Sequence, residues 1–358
     1  MNKNLIALAV GAALVAPVVA SADVTVYGLA QVEVAKFTDK TPSGNGFDGV
    51  SVVDNANGRV GVKASEDLGN GLTGLAKFEY KADTASGSAG GCSASTTTTV
   101  TGAAQSGTDP VTASSSTKCS ASIGLTPRET MVGLATPFGT FELGRLKSAY
   151  KYAGGVTYDP FVATTLEARS NGGMTGGAFG QSGFLSNSLA YNGKFGPVRA
   201  WLTYSPDKAD NTDKDYTAAV IYDGNFAGTG VEAFYARAHD DHASSDTATY
   251  TSDKIGGKVT FMKAHSVALQ YELSKNKPNT GSENKPKTWF LGYQGKFSNT
   301  VGVVQVGQSD PDISGVDKTT YFALGAIYKF TKQTRIFGGY RSSKDKTNVF
   351  SVGMRKDF

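Results

Sequence analysis

From Asp23 to the C-terminal Phe358, apolar and polar residues alternate with a period of two, run after run. That pattern dictates strands with one apolar and one polar face, because successive strand side chains point to opposite sides. In VVDNANGRVGVKASE (52–66), Val60, Val62 and Ala64 fall on one face; Arg59, Gly61, Lys63 and Ser65 fall on the other. In LTGLAKFEYKAD (72–83), Ala76, Phe78 and Tyr80 oppose Lys77, Glu79 and Lys81. Turn signals punctuate the runs at Gly196-Pro197, Ala227-Gly228, Lys263-Ala264, Ser298-Asn299 and Thr331-Lys332. Such tight turns alternate with longer polar loops, and the runs number about sixteen, within the range of outer-membrane barrels. The regular spacing makes 23–358 one domain, without a linker.

The totals agree. Hydrophobic residues make up 39% of the 358 residues. That share excludes a bundle of membrane helices but not a membrane barrel, whose strands show lipid only every second side chain. With 35 basic and 31 acidic residues the net charge is +4, and no basic tract points to nucleic acid. Residues 1–22 carry Lys3, an apolar run from Leu5 to Val19 and the small-x-small site Ala20-Ser21-Ala22. They read as a secretory signal peptide cleaved before Asp23. The alternative, an anchor helix, needs about 20 apolar residues.

The stretch around 128–183 organises the chain. Two alternating runs, Arg128 to Ala135 and Thr140 to Ser148, meet at Pro137-Phe138-Gly139. About thirty-five residues without alternation follow, an insert long enough to be functional or disordered. RETMVGL followed by PFGTFELGRLKSAY resembles the strand pair before the constriction loop of general Gram-negative porins. The resemblance runs from DVTVYG at Asp23 to VGMRKDF at the C-terminus.

It implies an all-β, 16-stranded antiparallel transmembrane β-barrel with an inward-folded constriction loop, assembled as a homotrimer in the outer membrane among its lipids. It also implies passive diffusion of small hydrophilic solutes and ions, without a cofactor. Arg59 and Arg128 sit where that family carries wall arginines, and Lys63 and Lys77 share their parity. A further family arginine is missing, since that region reads FLSNSLAY from Phe184. Asp159 and Glu167 on the insert are expected to face the arginines and set up a field across the waist. The alternative is that these are solvated surface charges. Arg59 and Arg128 at the waist suggest modest anion selectivity. A substrate-specific channel and a non-transporting structural or adhesive barrel are the other readings.

Phe350, Val352, Met354 and Phe358 share a parity. The terminal Phe358 resembles the signature read by barrel-insertion machinery. Tyr27, Phe37, Phe195, Phe226, Phe297 and Phe330 lie near strand ends and are expected to form aromatic girdles. Cys92 and Cys119 share one Ser/Thr/Gly/Ala-rich stretch, where an exported chain is expected to form a disulfide; two free thiols are the alternative. His239, Asp240, Asp241 and His242 hold possible metal ligands, but a polar loop tip is the simpler reading, so no metal is expected. No GxSxG, GxxxxGK[ST], HExxH or CxxC appears, so the chain reads as a channel and not an enzyme.

Overall fold

The computed structural model describes residues 22–39, 47–55, 58–85, 92–99, 114–121, 125–175, 183–206, 215–244, 247–344 and 347–358. Side chains of 92–99, 114–121, 242–244 and 247–248 are not part of that description. The expected signal peptide therefore lies outside the described residues, apart from Ala22.

The chain is almost all strand. In order come β1 (Asp23–Thr38), β2 (Gly49–Val53), β3 (Arg59–Gly69), β4 (Leu72–Lys81), β5 (Cys92–Thr99), β6 (Ser114–Ala121), β7 (Thr126–Thr136), β8 (Gly139–Lys147), β9 (Phe184–Phe195) and β10 (Val198–Ser205). Then follow β11 (Asp215–Phe226), β12 (Thr229–Ser244), β13 (Thr247–Phe261), β14 (His265–Pro278), β15 (Lys287–Phe297), β16 (Thr300–Asp310), β17 (Thr319–Lys329), β18 (Thr334–Ser343) and β19 (Asn348–Asp357). Antiparallel neighbours pair in sequence around a ring. β1 pairs with β3 through Asp23–Leu29 and with β19 from Leu29 to Thr38, which closes the sheet. β2 pairs with Glu33–Phe37 of β1, continuing the line of β3. The seventeen strands of the main sheet thus make a closed barrel of sixteen staves. β5 and β6 pair only with each other, with Ala94 opposite Cys119 and Cys92 opposite Ala121.

Burial is inverted relative to a water-soluble protein. On β14, Val267, Leu269, Tyr271 and Leu273 are exposed, while Ser266, Gln270, Glu272 and Ser274 are buried. On β19, Phe350, Val352 and Met354 are exposed and Ser351 is fully buried. Left in water, each such Leu, Val or Phe would forgo roughly 1.5–3 kcal/mol of burial. A hydrocarbon layer around the barrel removes that deficit. Phe195, Phe226, Phe297 and Phe330 are exposed beside the short turns, as a girdle requires. Tyr27 and Phe37 are not girdle residues. Their parity is that of the buried Leu29, Gln31, Glu33 and Ala35, and Tyr27 gives its hydroxyl to Glu79 at 2.9 Å.

The ends meet tightly. Phe358 exchanges backbone hydrogen bonds with Gly28 at 2.9 and 3.0 Å. A Cβ at Gly28 would come within 2.5 Å of both the Phe358 ring and the Arg59 carbonyl, so only glycine fits there.

Candidate functional site, a cationic waist beside an inner loop

After β8 the alternation stops because this segment pairs with side chains rather than with a neighbouring strand. Ser148 caps a single-turn helix, α1 (Ala149–Tyr152), accepting from the Lys151 N–H at 3.3 Å. A 3-10 turn at Gly155–Thr157 and irregular turns carry the chain to Thr175. The Tyr150 hydroxyl bonds Ser252 on β13 at 2.7 Å and Glu272 on β14 at 2.9 Å. The Gly155 N–H donates to Gln270 at 2.7 Å. The Thr165 N–H and hydroxyl donate to Glu33 on β1 at 3.0 and 2.7 Å. Tyr321 on β17 and Arg341 on β18 donate to the carbonyls of Leu166 and Thr165 at 2.8 and 2.9 Å.

A segment this short reaches β1, β13, β14, β17 and β18 together only from within the ring. Its apolar side chains, Tyr158, Phe161, Leu166 and Met174, pack with wall residues Phe234, Phe290, Tyr321 and Phe337. Part of the lumen is therefore filled by protein, and the partners of the segment are the polar wall residues that alternation placed inward.

One cavity beside the loop is lined by charges of a single sign. A space of about 240 Å³ is lined by Arg59, Arg128, Arg355, Lys151 and Arg169, with Tyr152 and other uncharged residues and no acid. Phe184, which with Leu185 opens the stretch that departs from the resembled family, gathers three cations against its ring: Arg128 at 5.3 Å, Lys151 at 5.6 Å and Arg145 at 5.7 Å. Two wall acids sit behind the cluster. Glu79 accepts from the Arg128 Nε at 2.9 Å and lies 3.8 Å from Lys77 and 4.0 Å from Arg59. Glu129 pairs with Lys77 and, at 3.2 Å, with Lys147. These acids fix the cations against the wall rather than opposing them across the gap.

The structure thus brings Arg59 and Arg128 to one cavity, with Lys77 behind them in the ion pairs. Lys63 lies opposite Lys77 in register, exposed and away from the cavity lining. The expected acidic rim is not built from Asp159 and Glu167. Asp159 is buried and accepts from the N–H groups of Phe161 and Ala168 at 2.8 Å and from Gln305 at 2.7 Å. Burial pushes its carboxyl up to about 6, against the pull of the Ala168 N–H and Gln305. Glu167 accepts from the Ala163 N–H at 2.9 Å and is bidentate with Arg169 at 3.0 Å. Asp159 ties the loop to itself and to Gln305 on β16, and Glu167 bonds within the loop. Arg355, Lys151 and Arg169 were not anticipated; Arg355 was signalled only by its parity opposite Met354. Burial, and then Arg169 and Arg128, lower Lys151 to about 8.

His239 and Asp241 contact each other at 3.0 Å, and among the described residues no group of three metal-ligating side chains occurs.

Residues 7–348 match the family described as Gram-negative porin. Outer membrane porin protein 32 of Delftia acidovorans is 25% identical, covering 97% of this chain and 90% of that one. An anion-selective porin from Comamonas acidovorans superposes with a TM-score of 0.69 at 19% identity, over 94% of this chain and 100% of that one. OmpT of Vibrio cholerae in its trimer form gives 0.62 at 14% identity, over 94% and 100%. The chain belongs to the Gram-negative porin family, and it is an outer-membrane β-barrel that forms a passive diffusion channel.

Proposed function

We propose that this channel passes small hydrophilic solutes and ions with a preference for anions, and that Arg59, Arg128, Arg355, Lys151 and Arg169 form its constriction. One observation carries the reading: the cavity is lined by five basic side chains and no acid, while Asp159 is taken up by loop N–H groups and Gln305 and Glu167 by the Ala163 N–H and Arg169. Low-dielectric walls concentrate that field in the gap, which raises local anion concentration and lowers that of cations. Lys77 holds the rear of the cluster through Glu129 and Glu79. Lys63, Asp159 and Glu167 act outside the selective rim.

The test is the reversal potential of the purified protein in planar bilayers under a KCl gradient. A potential of the sign set by chloride supports the proposal; one set by potassium overturns it. Conductance that saturates at low solute, with block by one anion, would replace the open channel by a substrate-specific one.

The active form in this proposal is a homotrimer, as in the Vibrio cholerae OmpT trimer form, and Phe358 is the residue that insertion machinery reads. A single-barrel mass by light scattering, or normal insertion of a chain lacking Phe358, would refute these points. Residues 1–22 are a cleaved leader, testable by the N-terminal sequence of the mature protein. Cys92 and Cys119 are bridged across the β5–β6 hairpin; alkylation of two thiols in unreduced denatured protein would exclude that.

A further inference from the structure

Two arginines near the waist stand where strand alternation would not put them. Arg128 shares a parity with Val132 and Leu134, and Arg145 with Phe141 and Leu143, all four exposed on the lipid-facing side. Each arginine stands at a break in register. β4 and β7 slip between the pairs Glu79–Glu129 and Tyr80–Pro127, which leaves Arg128 without a partner position. β8 and β9 slip between Gly144–Ser188 and Leu146–Leu185, beside Arg145. A bulge of this kind re-aims a side chain. Both guanidinium groups turn to one object, the Phe184 ring, at 5.3 and 5.7 Å from its centre. Lys151 reaches the same ring from the loop at 5.6 Å.

The surroundings make the ring a meeting point. A Cβ on Gly183 would come within 2.5 Å of the Lys151 ammonium and 2.9 Å of its Cδ, so the lysine stem lies across bare backbone there. The Gly183 carbonyl accepts from the Ser148 N–H at 3.2 Å, which ties the start of β9 to the cap of α1. Other attractions do little to hold these cations together. Arg169 and Arg128 repel Lys151, and Glu167, the acid that draws it, is already bidentate with Arg169. Arg145 donates from Nη1 to Ser186 at 2.6 Å, while its Nε is buried without a hydrogen-bond partner.

An aromatic face attracts cations through its quadrupole, an attraction confined to close range. A carboxylate in this place would hold the same cations but cancel one unit of their charge, as Glu79 and Glu129 do at the rear of the cluster. A ring gathers cations and leaves their net charge intact.

We propose that Phe184 is a positioning residue for anion selectivity: its ring holds Arg128 and Lys151 in the cavity lining, with Arg145 behind them, and concentrates positive charge at the passage without neutralising it. Phe184 is not itself part of the lining, so it acts on a passing solute through its cations. The proposal rests on the reading of that cavity as the constriction.

The test changes the electrons of the ring and keeps its shape. Phe184 is replaced by a ring-trifluorinated phenylalanine at an amber codon in the full chain. Reversal potentials are read in planar bilayers under a dilute KCl gradient, at pH 7 and again as the pH is raised through the titration of Lys151. Fluorination withdraws charge from the ring face and weakens its hold on cations. The anion-to-cation permeability ratio at pH 7 should fall on the order of two- to fivefold, the population shift that one such contact supports. The pH at which Lys151 loses its charge should also move down, because the ring favours the charged form. Phe184→Leu should do the same, whereas Phe184→Tyr should keep both wild-type values. Single-channel conductance of wild-type size shows an intact barrel in each variant. Unchanged values in the trifluorinated protein would overturn the proposal. A loss in Phe184→Leu alone would also overturn it, since the ring would then only fill space. A wild-type protein without anion preference would remove the constriction reading and this proposal with it. An anion-selective wild type that depends on Arg128 but is indifferent to fluorination would remove this proposal alone.

Discussion

In the proposed constriction, Lys151 should make the charge adjustable by pH. It stands on α1 beside Arg128 and Arg169 in the lining, with its ammonium 5.6 Å from the Phe184 ring centre and 5.7 Å from that of Tyr152. Glu167, already bidentate with Arg169, is the acid that offsets this crowding. Burial, reinforced by the two arginines, brings Lys151 down to about 8. The group is charged below that pH and neutral above it. Raising the pH through 8 should remove one of five basic charges from the lining while the four arginines stay protonated.

Coulomb's law gives roughly 1 kcal/mol for a unit pair about 4 Å apart in bulk water, a factor of about five in local anion concentration. The same charge depletes cations by the same factor, so the anion-to-cation permeability ratio should drop by up to roughly 25-fold across the step, more at low salt than at high. The sign of the linkage separates this from loss of the loop. A lysine whose docked pKa is depressed penalises docking below the step, and the penalty shrinks as pH rises, so alkali leaves the loop at least as well docked. The assay is the reversal potential in a dilute KCl gradient, scanned from pH 6 to pH 10. Lys151→Met should lack the step and stay at the high-pH level; Lys151→Arg should stay at the low-pH level. A step of the same size in Lys151→Met would refute the reasoning.

Three further outcomes follow from the same geometry. Arg128→Glu should shift the reversal potential toward cations, because it reverses a lining charge and repels Glu79, whereas Lys287→Glu on the outer face should leave it unchanged; equal shifts would place Arg128 away from the waist. Tyr150→Phe removes a hydroxyl bonded to both Ser252 and Glu272 and should cost about 1–3 kcal/mol of loop docking, read as added open-channel current noise and faster proteolysis within the loop. Gly307→Ala should displace the loop, since its Cβ would meet the Gly173 Cα and the Trp289 carbonyl at 2.6 Å; unchanged conductance and noise would argue against that contact.

The barrel was legible in the sequence because its physics is local. A period of two fixes which side chains share a face, and glycine or proline at the turns fixes where the chain reverses. The segment Ser266 to Ser274 shows this well, for alternation alone separates Leu269 and Tyr271 from Gln270 and Glu272. Alternation does not say which inward polar residues meet water and which meet the loop. Glu272 and Gln270 hold residues more than ninety positions away in sequence. Asp159 and Glu167 misled for a related reason. An acid in a glycine-rich insert looks solvated, yet its acceptors are filled by N–H groups two to nine residues away, a pairing that only the folded turn creates. Tyr27 sits near a strand end like the girdle residues, but its parity with Leu29 and Gln31 outranked its position.

The clasp between Gly28 and Phe358 sets the order of events in biogenesis. Because the first strand has the nineteenth as its neighbour, the cylinder cannot shut while any intermediate stave is missing or unpaired. Until then two ragged borders with unsatisfied amides face the bilayer, an arrangement hydrocarbon does not tolerate. The polypeptide must therefore reach the membrane whole and be sheltered along both borders while it is stitched, so a lesion near either terminus should strand the entire protein rather than weaken one part of it.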